Sequence, residues 1–439
     1  MKQGSLKQGE NTPLAQTGMA QTTAAAAVGV EGRRPFSLGA TFTALKYPNY
    51  RLWFLGQLGS LVGTWMQTTA EGYLVFQLTN SPAYLGYVGF AAGVPSWVLM
   101  LFGGVIADRV PRRKLIMMTQ GVMMLLAFTS ATLTFTHLIQ PWHIILLAFI
   151  LGIANAFDAP ARQSFVLELV EREDMGNAIA LNSTMFQMAT VVGPSVAGIT
   201  YAIAGPAWCF TVNGLSFLFV IAALYFMKLE PKPAKPRTHS AIAELRQGLR
   251  YVLEHEVIRT LIGVAAVTSL FGLAFVTLIP AWAVNILHGD STTNGLLLSA
   301  RGVGALTAAL MIATLGRFRW KGKLMTIGMF IFPISLLIFS QINILLASIA
   351  ILVCVGWGFM TLFNMANILI QQSVSDELRG RVMSIYALTF FGLMPIGALW
   401  AGFVAEHFGE PFTVALGASI SLLFGAFVFW KIPQVRNLQ

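Results

Sequence analysis

Long apolar runs alternate with short polar loops along most of the chain, and this alternation predicts the fold. A membrane helix needs roughly 20 mostly apolar residues to cross a ~30 Å hydrocarbon core. Twelve segments qualify, at residues 51–78, 84–107, 114–136, 142–166, 176–203, 207–228, 258–287, 292–315, 323–340, 343–369, 381–405 and 412–431. The expected fold class is an all-α polytopic membrane protein with twelve transmembrane helices. Composition agrees, with 56% of residues hydrophobic and 10% charged, against about 25% charged in a soluble chain.

The loops fall into two classes. One set carries Arg109 to Lys114, Arg172, Lys228 to Arg259, Arg317 to Lys323, and Arg379 with Arg381. The other set, near Asn80, Gln140, Gly205, Gly289, Gln341 and Gly409, has no Lys or Arg. Of 28 basic residues, only Arg301 is not on the first side, Arg162 being counted there at a helix end. The positive-inside rule makes the first side cytoplasmic, with both termini. Trp53, Trp142, Trp208, Trp320 and Trp430 fall near the expected interfaces, as an aromatic belt requires. The net charge of +10 does not suggest nucleic acid, because the basic residues are spread over loops instead of forming one patch.

Residues 1–46 are polar and low in complexity, without an apolar core and cleavage site. They read as a disordered cytoplasmic tail. The longest internal polar interruption, 229–257, separates a six-helix half at 47–228 from another at 258–431, followed by a tail at 432–439. It opens with Pro231, Pro233 and Pro236 among lysines, then places Ile242, Leu245, Leu249 and Val252 on one helical face. This amphipathic helix suits either the membrane surface or the protein's own cytoplasmic helices. At an offset of 204, Gly152, Gly176, Gly193, Gly198 and Gly205 fall on Gly356, Gly380, Gly397, Gly402 and Gly409. Two halves related by a pseudo-two-fold parallel repeat are expected, since rocking one against the other exposes a midplane site to each side in turn.

Gly103 to Lys114 places five charges in seven residues between two spans. Asp108 there can face the N-terminal dipole of a neighbouring helix, and Arg112 and Arg113 can pair with acids near the end of the fourth span. A plain topogenic charge cluster is the alternative. The order Gly104-Val-Ile-Ala-Asp108-Arg109-Val-Pro-Arg112-Arg113 resembles the loop signature of the major facilitator superfamily, with Pro111 where a glycine is usual. A degraded copy, Gly316 to Lys323, lacks the Asp. Gly193-Pro194-Ser-Val-Ala-Gly198 resembles the superfamily's antiporter bend, with Ala197 where a glycine is usual. Trp65-Met-Gln67, Leu78-Thr-Asn-Ser-Pro82 and Asn155 to Ser164 resemble a bacterial exporter-like subgroup that includes siderophore and macrolide exporters. The resemblance implies a conformational lock at Gly104, Asp108, Arg109, Arg112 and Arg113 that stabilises the outward-open state. Asp158 and Arg162 are its expected partners.

Intramembrane ionisable groups cost roughly 2.5–3.5 kcal/mol on insertion scales, so each is a functional candidate. Glu71 continues a stripe of Thr64 and Gln67 in span 1, and Asp158 lies near Arg162 and Asn155 in span 4. Both acids are proton-coupling candidates; a vestibule residue and a structural ion pair are the respective alternatives. Arg301, in span 8, lies at a depth similar to Glu71, so the two are expected to approach when the external side closes. Arg301 could otherwise attract an anionic substrate. Gln187, with Ser183 and Thr190, and Asn364, with Asn367 and Gln371, either line a cavity or join helices by hydrogen bonds. Pro95, Pro194, Pro280, Pro333 and Pro395 are expected to bend their helices.

No Walker loop, His-Glu-x-x-His, cysteine cluster or Gly-x-Ser-x-Gly occurs in the sequence. Cys209 and Cys354 read as small apolar side chains; no metal or cofactor is expected, nor an enzyme. The expected function is alternating-access, proton-coupled export of amphipathic small molecules of the drug, macrolide or siderophore type. The expected setting is a monomer in the bacterial inner membrane. Its rivals are an importer or lipid flippase on the same fold, and a non-transporting assembly or sensory protein.

Overall fold

The computed structural model describes residues 42–229, 241–316 and 318–438; the side chains of 100–109 and 241–244 lie outside this description. Most of the predicted N-terminal tail, the proline-containing start of the linker, and the side chains at Gly104, Asp108 and Arg109 therefore also lie outside it.

The described chain is helical throughout, with no strand. Six long helices come first: α1 (Pro48–Thr79), α2 (Pro82–Arg109), α3 (Arg112–Phe135), α4 (Pro141–Val166), α5 (Met175–Ala204) and α6 (Pro206–Phe226). The shorter α7 (Ala241–Glu254) follows. The next span is broken. α8 (Glu256–Val267) passes through a π-helical turn, Thr268–Gly272, into α9 (Phe275–Ala281), and a second π turn, Trp282–Ile286, closes it. Then come α10 (Ser291–Leu315), α11 (Lys321–Phe339), α12 (Leu345–Ser373), α13 (Asp376–Phe408) and α14 (Glu410–Lys431). Ten of these helical stretches are long and apolar enough to cross a membrane. α1 is not among them, because Gln57, Ser60, Gln67 and Glu71 dilute its apolar residues.

Local chemistry sets the helix boundaries. Pro occupies the first turn of α1, α4 and α6, where its missing N–H costs nothing. Asp290 caps α10, its Oδ1 accepting from the Thr293 N–H at 3.0 Å. The tight turns after α5 and α13 place Gly205 and Gly409 at φ of 87° and 84°, where a side chain would be strained.

Several paired glycines also share environments. A Cβ on Gly152 would meet the Ala92 carbonyl of α2, and one on Gly356 the Arg301 carbonyl of α10. Gly193 backs onto α1 at Trp65, and Gly397 onto the Leu270 carbonyl in the first π turn. Gly198 faces Ser291 of α10, while Gly402 faces Pro82 of α2.

α1 packs on α5 and α6, α2 on α4, and α3 on α4 and α6; α12 packs on α10 and α11. Two seams join these groups, α5 with α10 and α2 with α13. The amphipathic α7 docks on the protein: Leu245 and Val252 join a core cluster, and Gly248 lies against the Arg381 carbonyl of α13. Leu249 instead is exposed with Leu253, so the predicted apolar face is split between protein and surroundings. Trp142, Trp208, Trp320 and Trp430 are exposed, but Trp53 is buried against Phe165 with ring centroids 5.2 Å apart. Trp53 is thus core and not part of an aromatic belt: it lies in a buried cluster with Ala44, Ile116 and Phe165, and Tyr50 of the same helix donates to the Ala178 carbonyl at 2.9 Å.

Candidate functional site

Polar groups inside the bundle gather in three places. Nearest the basic loops, Asp158 of α4 is fully buried. Its Oδ1 accepts from Thr119 Oγ1 at 2.7 Å and from Gln120 Nε2 at 3.2 Å, both on α3. Arg162 Nε lies 2.5 Å from its other oxygen, and Arg162 Nη1 reaches Gln57 Oε1 of α1 at 3.4 Å. The network ties α1, α3 and α4 together. Removing the carboxylate would leave a guanidinium without its counter-charge.

The two loop arginines have different partners. Arg112 pairs with Glu168, just beyond α4, and Arg113 Nη2 donates to the Tyr225 carbonyl at the end of α6 at 2.8 Å. Acids near the end of the fourth span do supply a partner. Asp158 and Arg162, however, are engaged with each other one to two turns deeper. Close by, Asp174 accepts from Tyr47 at 2.8 Å and pairs with Lys46 at 2.6 Å, clasping the segment before α1 to the start of α5.

The second group lies within the first six helices. Gln67 accepts from Asn213 Nδ2 of α6 at 2.7 Å, and Gly63 leaves room for this approach, since a Cβ there would sit 2.7 Å from Asn213. One turn from Gln67, Glu71 lines a crevice with Gln67, Ser130 of α3, Ile144 and Leu151 of α4, and Phe210 of α6. The crevice has room for about one water. Among the described residues no cation pairs with Glu71 or acid with Arg301. The expected Glu71–Arg301 pair is therefore not formed, although the loop end where it should form is sealed. Glu71 turns into its own half of the bundle.

The third group lies along the seams. At α5–α10, Ser195 donates to Ser299 at 2.7 Å, Ser299 to the Val191 carbonyl at 2.6 Å, and Ser291 to the Gly198 carbonyl at 3.2 Å. Close approach comes from small residues: a Cβ on Gly295 would meet the Pro194 carbonyl at 2.3 Å, and one on Gly302 the Thr190 carbonyl at 2.7 Å. The Gly193-Pro194-Gly198 segment thus supplies seam surface. At α2–α13, Glu406 accepts from Ser81 at the start of α2, while Gly86 and Gly93 pack on Ala398 and Pro395. Both seams start at the loop end that carries no Lys or Arg. Among the described residues α4 and α12 form no comparable seam at the basic end.

Of the other cavity candidates, Gln187 donates to Met360 Sδ of α12 at 3.6 Å, and Asn367 accepts from Gln371 at 2.6 Å. Asn364 is buried, and Asn155 is half-buried. Sequence reasoning missed Asn294 of α10, which is 1% exposed with both amide atoms unpartnered. It also missed the role of Glu406. Asn294 could have been found from its spacing, two turns from Arg301.

A bundle of apolar helices with two sealed seams, internal charges and helix-breaking turns defines a polytopic membrane transporter. The chain belongs to the transmembrane secretion effector family of the major facilitator superfamily, whose model matches residues 39–438. It is similar to the Staphyloferrin A transporter of Staphylococcus aureus, 24% identical over 383 residues, covering 86% of this chain and 94% of that protein. It is likewise similar to the multidrug efflux pump Tap of Mycolicibacterium fortuitum, 24% identical over 385 residues, covering 86% and 93%. Among solved structures, a D-xylose-proton symporter shares the fold with a TM-score of 0.67 at 14% identity, covering 89% of this chain and 99% of that one.

Proposed function

We propose that the protein exports amphipathic small molecules by alternating access, coupled to proton entry, as a twelve-span carrier of two six-helix halves in the bacterial inner membrane. The single observation that carries the alternating-access reading is the one-sided closure. Two seams of small residues and hydrogen bonds seal the loop end without Lys or Arg, with no matching seam between α4 and α12 at the basic end among the described residues. By the positive-inside rule the basic end is cytoplasmic, so this is the inward-open state, with both termini on the cytoplasmic side. The paired environments of Gly152 with Gly356, Gly193 with Gly397, and Gly198 with Gly402 support the parallel repeat. The family description and the efflux relative support the outward direction.

Glu71 is the proton carrier in this reading. It is a carboxylate in an apolar-walled crevice without a paired cation, so gaining a proton changes its electrostatic energy steeply with its access to water. Asp158 already has Arg162, Thr119 and Gln120, and serves to hold the helices. The lock of Arg112 and Arg113 acts within the first half here, on Glu168 and Tyr225. The test is reconstitution into liposomes with an imposed pH gradient, screened against dyes, macrolides and catecholate siderophores. Glu71→Gln should abolish the gradient dependence while substrate still binds, whereas Asp158→Asn should lower stability first. If movement stays gradient-dependent in Glu71→Gln, that residue is not the carrier. If no compound moves in the native protein, export itself is refuted.

A further inference from the structure

Arg301 is the one basic residue on neither side of the membrane, and none of the described acids pairs with it. Its Nε is buried without a hydrogen-bond partner, though part of the residue stays accessible. A guanidinium cannot shed its proton in a protein, so the charge remains. Its direction follows from the helix. Leu296, Val303 and Leu310 are exposed and mark the outer face of α10; Ser299 and Gly302 face α5; and Gly304 faces Val353 of α12. At 100° per residue, Arg301 falls opposite the exposed face, on the inner side of the helix. Asn294, seven residues earlier, shares that azimuth, and its buried amide has neither oxygen nor nitrogen satisfied. The two lie about 10.5 Å apart along the axis, two turns at the helical rise. Gly302 beside Arg301 packs on Thr190, three residues from Gln187, so the pair borders the seam between the two groups of helices.

A buried charge and a buried amide without partners are costly in any closed resting structure. Both costs fall if a ligand brings the missing counter-charge and hydrogen-bonding groups. Guanidinium matches two adjacent anionic oxygens, which it holds in a fork. We propose that Arg301 and Asn294 form the docking site for the exported molecule, and that this molecule is a small organic anion presenting a carboxylate. Arg301 takes the anionic oxygens and Asn294 a polar group further along the ligand. This rests on the exporter reading above.

The test uses the full chain in lipid nanodiscs, with citrate and its neutral triamide as probes, and equilibrium binding as the readout. The native protein should bind citrate and ignore the triamide. Arg301→Met should weaken that binding at least about tenfold, the scale of a lost charge-assisted hydrogen bond. Arg301→Lys should retain part of it. Without ligand, Arg301→Met should melt no lower than the native protein, since no internal ion pair is lost. A lower melting temperature would instead make Arg301 a structural group. Equal affinity in native and Arg301→Met protein, or no anion binding in the native protein, overturns the site. In that event, gradient-driven movement of a neutral or cationic dye would leave the exporter reading standing. Absence of any gradient-driven movement beside Arg301-dependent anion binding would sink the exporter reading and keep the site.

Discussion

The carboxylate of Glu406, near the end of α13, accepts from the Ser81 hydroxyl at 2.6 Å and from the Ala83 N–H at 3.2 Å, so it caps α2 from across the seam. Helix N-termini leave N–H groups without partners, and an acid there is favoured by both hydrogen bonding and the helix dipole. In most helices the cap is local. Here it comes from 323 residues further along the chain, so it is made only while this end is closed.

Glu406→Ala should therefore shift the conformational balance toward opening at this end. Losing a cap costs about 1 kcal/mol, which corresponds to a severalfold change in the ratio of closed to open protein. Spin-label distances between the ends of α2 and α13 would report it. An unchanged distance distribution would mean that packing alone holds the seam.

Bulk on the facing seam should act in the same direction and more strongly. The Cβ of Gly295→Val would fall 2.3 Å from the Pro194 carbonyl, which is backbone and cannot swing away. This variant should lose transport while thiol labelling rises at positions introduced along the α5–α10 seam. Gly59→Ala serves as the control, because nothing lies within 4 Å of its new carbon. It should transport normally.

Breaking the Asp158–Arg162 pair should show as instability. Arg162→Ala leaves a fully buried carboxylate without its cation, a loss on the order of 3–5 kcal/mol. The double change Asp158→Asn with Arg162→Gln should cost less than Arg162→Ala alone in thermal unfolding, because no net charge is stranded. If the double variant is the less stable, a stranded charge is not the source of the loss.

Arg112 and Glu168 present a contrast, being each about a quarter exposed. Glu168→Gln should change stability by no more than about 1 kcal/mol. A larger loss, measured by thermal unfolding in detergent, would mark this pair as more than a surface contact.

Much of the architecture was legible in the sequence because helix length and hydrophobicity are properties of contiguous residues. The even spacing of the glycine pairs was legible for the same reason, although what they pack against was not. Glu71 and Arg301 show where sequence reading stops. Counting residues from a helix end gives depth, and both sit at similar depth; depth says nothing of azimuth. Glu71 faces the crevice with Ser130 and Phe210, so equal depth did not bring it to Arg301. The exposed Leu296, Val303 and Leu310 mark the outer face of α10, but in the sequence they are indistinguishable from core residues of similar hydropathy. Trp53 failed likewise: position suggested an interface, and Phe165 of α4 packs against it. Glu168 lay where an acid was sought, but the choice among Glu168, Glu171 and Asp158 depended on the end of α4.

The two seams are fastened by different chemistry. Neutral hydroxyls and carbonyls hold α5 to α10, whereas an acid completes the fastening of α2 to α13. Losing that carboxylate would undo one clasp and leave the other untouched. The two seams would then part unequally, the α2–α13 edge first, like a book opened at its fore-edge.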